Sequence, residues 1–279
     1  MDAVLLALGS AALFGAMTVT LRLALLRNTD ARLGAAVTAL VALAVALAAT
    51  PATTGETELR DLALFAAAGL LAPGVSQLLF TLAVRDAGAA RASVVVGSAP
   101  LITVALGILV LDEPFKAALV AGAALIVAGG AALAWEPLRP ASFRAVGIAW
   151  ALGCTLLFSG RDTFIRWFSG ETSVASTDAA AATLLGGALV LTLLAAGRSW
   201  RRPLPFVPVG ICFGLSYVFL FEAFYRGRVS VVSPLIATET LWGVGLSALL
   251  IGRSEHVGRR LVLGALLIVA GGALIGATR

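Results

Sequence analysis

The sequence predicts an all-α integral membrane protein, with ten transmembrane helices arranged as two inverted five-helix repeats. Three observations carry that prediction. Of 279 residues, 60% are hydrophobic and 13% charged, with a mean hydropathy of +1.01; soluble domains carry about 25% charged residues. Ten apolar stretches recur along the chain, each near the ~20 residues that a helix needs to cross hydrocarbon. Finally, the stretch 92–135 is written twice: Ala-Leu-Ile-Val-Ala-Gly-Gly-Ala at 124–131 returns as Leu-Leu-Ile-Val-Ala-Gly-Gly-Ala at 266–273.

Taken in order, the predicted spans are 4–26, 33–49, 62–84, 92–111, 117–135, 145–168, 177–196, 206–225, 229–251 and 261–277. Each is helical because a backbone in hydrocarbon has only its own groups to bond. Charge and turn-forming residues mark the separators: Asn28-Thr29-Asp30, Pro51 to Asp61, Arg85-Asp86, Asp112-Glu113-Pro114, Glu136-Pro137, Ser169-Gly170-Glu171, Gly197 to Pro205, Arg226-Gly227-Arg228 and Gly252 to Arg260. The first stretch has no basic n-region and stays apolar too long for a cleaved signal peptide, so it reads as a span. No separator is long enough for a soluble domain.

The repeat reaches beyond its strongest part. Glu113 pairs with Glu255, Gly122 with Gly264 and Gly129 with Gly271, all at an offset of 142. Leu13-Phe14 matches Leu157-Phe158 and Arg22 matches Arg166 at an offset of 144; Gly69, Phe80 and Arg85 match Gly210, Phe221 and Arg226 at 141. The unit is five helices, 1–137 and 138–279, forming one transport domain together. Five crossings is an odd number, so the second copy enters from the opposite face, the architecture associated with secondary transporters.

Composition excludes several classes. Cys154 and Cys212 lie in apolar runs and imply neither a disulfide framework nor a metal cluster. The single His256 rules out multi-histidine metal sites, and no Gly-rich phosphate loop ends in Lys-Ser/Thr. A pI near 10.2 would point to nucleic acid if the arginines clustered; they are scattered between apolar segments and read as topology signals instead. The chain calls for no cofactor and no metal, and it is not read as an enzyme.

Leu13-Phe14-Gly15-Ala16-Met17 followed by Arg22 resembles the first-helix signature of the EamA-type members of the drug/metabolite transporter superfamily. Pro100 to Glu113 with the run after Gly122 looks like that family's fourth-to-fifth helix hairpin, and Glu255 to Gly272 like its second copy. The resemblance covers nearly the whole chain. It departs where the second copy usually has Glu-Pro, since this chain reads Glu239-Thr240, and in two extra residues before Glu255. It implies a ten-helix carrier that moves small metabolites, often outward, by alternating access. Aromatic residues near the expected pocket make the chain resemble the YddG-type amino-acid exporters.

An ionisable group inside a span is costly and is read first as functional. Arg161, Asp162 and Glu239 are the clearest cases, whereas Arg22, Arg166 and Glu222 lie near helix ends and can snorkel. Arg161 and Asp162 are consecutive, about 100° apart on a helix, so one is expected to line the cavity while the other pairs with a neighbouring helix, or both to serve a structural salt bridge. Glu239 can bind a substrate ammonium, exchange a coupling proton or neutralise Arg161. Ser76, Gln77, Ser98, Ser159 and Tyr217 offer uncharged hydrogen-bonding groups at comparable depth, with Gln77 weighted above the serines, which can bond their own backbone one turn back. Phe14, Phe80, Phe158, Phe221 and Trp242 are either an apolar lining or plain packing; Phe14/Phe158 and Phe80/Phe221 hold equivalent repeat positions. Pro73, Pro100 and Pro234 interrupt spans as static kinks or as gating hinges. Trp135, Trp167 and Trp200 read as interface anchors.

Loop arginines and lysines number twelve after odd-numbered spans and six after even-numbered ones, which places both termini outside; the resemblance implies both inside. The functional expectation is a secondary transporter, an exporter of amino acids or similar small metabolites, in the bacterial inner membrane. Its partners are a small-molecule substrate and membrane lipid, with no nucleic acid. A monomer suffices, because the internal repeat supplies the two halves of a pathway. The rival readings are export of cationic hydrophobic drugs, an intramembrane lipid-modifying enzyme, and a membrane scaffold.

Overall fold

The computed structural model describes residues 2–50, 58–99, 101–102, 117–136, 143–227, 232, 235–252 and 257–277. Among them there is helix and turn and no strand. The helices are α1 Ala3–Arg27, α2 Ala31–Ala49, α3 Leu59–Gly69, α4 Ser76–Ala87, α5 Ala89–Val96, α6 Ala117–Ala134, α7 Val146–Ser169, α8 Ser176–Leu194, α9 Val207–Arg226, α10 Glu239–Leu246 and α11 Arg259–Gly276. Five described segments are long and apolar enough to cross a membrane: Ala3–Arg27, Ala31–Ala49, Leu59–Ala87, Ser176–Leu194 and Leu204–Arg226. Val120–Leu133 and Glu239–Ile251 are shorter apolar helices. The chain is therefore a multi-pass helical membrane protein.

Local chemistry sets the ends. The Asn28 side chain accepts from the Asp30 backbone N–H at 3.1 Å, and Asp30 in turn caps α2 by accepting from Arg32 and Leu33. These bonds satisfy N–H groups that a helix start leaves open, and they fold the first separator into a three-residue turn.

Two boundaries differ from the sequence expectation. The third span is broken. Between α3 and α4 lies a π-helical turn, Leu70–Val75, holding Pro73 after a cis peptide bond and Ala72 at φ −136, ψ 103. Proline has no N–H to give, and its ring displaces the preceding turn. The Arg85-Asp86 separator also falls inside α4. Arg85 chelates Asp86 with Nε and Nη2 at 2.8 and 3.1 Å, and the helix ends at Gly88, whose φ of +95 favours glycine. Pro100, Pro234, Glu113, Glu255 and half of the fourth span lie outside the described residues.

α1 packs on α9 and α10, α2 on α8 and α9, α4 on α7, and α6 along α11. Glycine permits the last approach: a Cβ on Gly129 would sit 2.7 Å from the Gly264 carbonyl oxygen, and one on Gly271 2.6 Å from that of Gly122. Small residues let helix backbones meet where lipid offers no hydrophobic drive. The core is correspondingly rich in alanine and phenylalanine, while Leu5, Leu26, Leu47, Leu156, Leu189, Leu193 and Leu249 point outward. Trp135 and Trp167 are exposed at helix ends, and Trp200 is exposed in the loop after α8.

Candidate functional site

Half-way along α1, α7 and α9, these helices enclose a narrow cavity with α10 and the end of α5. Its wall includes Ser10 and Phe14 from α1, Phe158, Arg161 and Asp162 from α7, and Ser216, Tyr217 and Leu220 from α9. Val96, Gly97 and Ala99 close it beside Ile236, Ala237 and Glu239. Its volume is about 30 Å³; a water needs roughly 10–15 Å³ by this measure, so the conformation has room for about two waters.

Arg161 dominates the charge. Its Nε donates to Asp162 Oδ1 at 2.8 Å and its Nη2 lies 2.7 Å from the same oxygen. The guanidinium carbon is 4.5 Å from the Phe158 ring centroid and 5.3 Å from that of Tyr217, within the range of cation–π attraction. The long arginine stem folds around the helix to its neighbour, so the two groups pair with each other and both face the cavity. Of the two expected arrangements, it is the salt bridge that forms, not the division of the pair between the cavity and another helix. Glu239, buried at the start of α10, faces the same space. Among the described residues its carboxylate accepts no hydrogen bond.

Phe14 and Phe158 meet edge-on with centroids 5.8 Å apart on the cavity wall, and Phe80 closes the cluster behind them, 5.2 Å from Phe14 and 6.4 Å from Phe158. Phe221 is fully buried against Tyr217 and Phe65, off the cavity. Tyr217 donates through its hydroxyl to the Ala72 carbonyl at 3.3 Å, which ties the site to the break in the third span. Ser159 Oγ donates to the Ala99 carbonyl at 3.2 Å, bracing the wall. Ser98 bonds the Val95 carbonyl at 2.6 Å and lines a different cavity beside Arg91 and Leu152. Ser76 and Gln77 lie just after the break, fully buried, and among the described residues the hydroxyl and both amide ends have no hydrogen-bond partner. Trp242 presents its Cβ to Gly15 and remains 46% exposed, away from the cavity.

Sequence reasoning passed over Ser10 and Ser216. Each hydroxyl donates to the other's backbone carbonyl, at 2.9 and 3.0 Å, joining α1 to α9 on the cavity wall. The available signal was a single serine in each of two apolar helices, which ordinarily means a bond to the residue's own helix.

The comparisons with known proteins agree with this architecture. A model of the EamA-like transporter family matches the chain twice, over residues 1–135 and 145–277. A solved crystal structure of a protein 23% identical in sequence aligns over 96% of each chain with a TM-score of 0.64, which speaks to the fold alone. No curated protein matches. Two family matches that together span nearly the whole chain place it in the drug/metabolite transporter superfamily, and the protein belongs to the EamA-like transporter family.

Proposed function

We propose that the chain is a secondary carrier that exports amino acids or similarly small zwitterionic metabolites, as the YddG-type exporters do, by alternating access through the central cavity. The observation that carries this reading is that opposite charges face one space: Arg161 and Glu239 line a cavity ringed by Phe14, Phe158 and Tyr217. A zwitterion's carboxylate suits the arginine fork and its ammonium suits the glutamate. The cavity is too small for such a substrate as it stands, so binding requires the helices to part, as alternating access demands.

The halves 1–137 and 138–279 are read as inverted repeats about an axis in the membrane plane. Gly129 meets Gly264 as Gly271 meets Gly122, and the sequence repeat equates 129 with 271 and 122 with 264. Phe14 and Phe158, equivalent at an offset of 144, touch each other, as residues near such an axis do. On this reading the axis passes near the ion pair and Glu239.

A second reading, export of hydrophobic cations, rests on Arg161 being engaged by Asp162 while Glu239 accepts no hydrogen bond among the described residues. Purified protein in liposomes separates the two. Saturable uptake of radiolabelled amino acids, weakened at least about tenfold in Glu239→Gln by loss of an ion pair in a dry site, supports the first. Uptake confined to lipophilic cations would replace it with the second.

A further inference from the structure

A second cavity opens at one end of the bundle, far in sequence from the first. It measures about 550 Å³ and lies between the α1–α2 turn, α4 and the loop after α8. Arg32, Arg85 and Arg198 line it, with Asp30 and the side chains of Leu78 and Leu82. Three guanidinium groups thus face one carboxylate. Neither existing ion pair exhausts them: Arg198 reaches Asp30 through Nε at 3.6 Å, and Arg85 commits Nε and Nη2 to Asp86 out of the five N–H donors an arginine carries. Arg32 is exposed at the start of α2.

The apolar part has a direction. Leu78, Leu82 and Arg85 stand at i, i+4 and i+7 on α4, one stripe along a single helix face. At 1.5 Å per residue the stripe is about 10 Å long, running from the arginine down into the apolar half of the helix. Both leucines are half-buried, and Leu78 packs on the alanine cluster between α2 and α8. The mouth is at headgroup level, because α1 ends at Arg27 and α2 begins at Ala31 there.

We propose that this cavity is a binding site for an anionic phospholipid. The phosphodiester lies among Arg32, Arg85 and Arg198, and the first part of one acyl chain runs along Leu82 and Leu78. Basic pockets between membrane helices attract anionic headgroups, and arginine forks suit phosphate oxygens. The apolar stripe selects a lipid over a soluble phosphate, which would need the cations alone. The inference rests on the membrane fold and is independent of the transported substrate. The bound lipid bridges α2, α4 and the loop after α8, and so steadies the broken third span from its outer side.

The test is native mass spectrometry with unfolding temperature, on purified, delipidated full-length protein given dioleoyl phosphatidylglycerol, dioleoyl phosphatidylcholine or glycerol 3-phosphate. Phosphatidylglycerol alone is expected to be retained and to raise the unfolding temperature. Arg32→Gln and Arg198→Gln are each expected to weaken its binding about fivefold, the worth of one arginine near a membrane surface. Leu82→Asn is expected to weaken it as well, and Arg166→Gln, on another part of the surface, to leave it unchanged. Equal retention of phosphatidylcholine, or undiminished binding in both arginine variants with the fold shown intact, would overturn the proposal. Glycerol 3-phosphate stabilising the protein as well as the lipid would assign the cavity to a soluble anion instead.

Discussion

Arg161 and Asp162 make the strongest electrostatic contact at the site, and they are sequence neighbours. A buried charge left without its partner is costly, about 3–5 kcal/mol when one member of a pair is removed. Asp162→Asn should therefore lower thermal stability measurably, whereas replacing both residues, Arg161→Met with Asp162→Leu, should restore most of the loss while abolishing uptake. Denaturation followed by circular dichroism checks the first expectation; a double variant less stable than the single would refute it. The sequence made these residues conspicuous, because ionisable groups are rare in spans. It left a salt bridge and a division between cavity and neighbouring helix both open, since helical periodicity fixes where a Cβ points and not how far an arginine stem can bend. Gln77 shows the converse. Its polarity drew attention, yet its amide lies fully buried off the cavity, with no hydrogen-bond partner among the described residues, and spacing alone carries no sign of that.

Helix elements were the most legible part of the chain, because apolar length and separator charge both report on them. Breaks within an element were less so. Pro73 marked the interruption in the third span, but not the π-helical turn or the non-helical Ala72, which lie where the segment packs against α8, Pro73 on Gly187 and Gly74 beside Val190. That break is tied to the site through Tyr217, whose hydroxyl supplies a donor to the Ala72 carbonyl. Tyr217→Phe keeps the ring beneath Arg161 and removes the donor, so it should cost about 1 kcal/mol of stability and leave the arginine stacked. A Tyr217→Phe protein as stable as the parent, by thermal or chemical unfolding, would mean that the bond carries no weight. Trp242 is the element-scale miss. It shares a helix with Glu239, but α10 crosses α1 at Gly15 and turns the indole outward.

At the scale of the whole molecule, charge separates between the two ends. Arg27, Arg32, Arg85, Arg144, Arg198, Arg201 and Arg202 gather where Asp30 meets Arg198, Asn28 meets the loop after α8, and Asp86 lies 3.7 Å from Arg144. At the opposite end Asp61 accepts from Thr172, and Glu222 engages both Ser176 and Arg226. By the positive-inside rule the basic end is predicted to face the cytoplasm, with both termini outside. A cysteine at Thr29, in a chain with Cys154 and Cys212 replaced, should react with a membrane-impermeant maleimide only after cells are permeabilised; labelling of intact cells would reverse the orientation. The repeat made this architecture readable from sequence, since equivalent glycines and phenylalanines announce two similar halves. The substrate was not readable, because it depends on which side chains reach one small cavity. The most direct measurement of the zwitterion account compares liposome uptake of one amino acid, its decarboxylated amine and its deaminated acid. The account predicts that the intact amino acid is taken up at least about tenfold faster than either analogue, as expected when a desolvated ion pair is lost. Equal uptake of the amine would contradict it, leaving Glu239 as the counter-ion of a cation carrier.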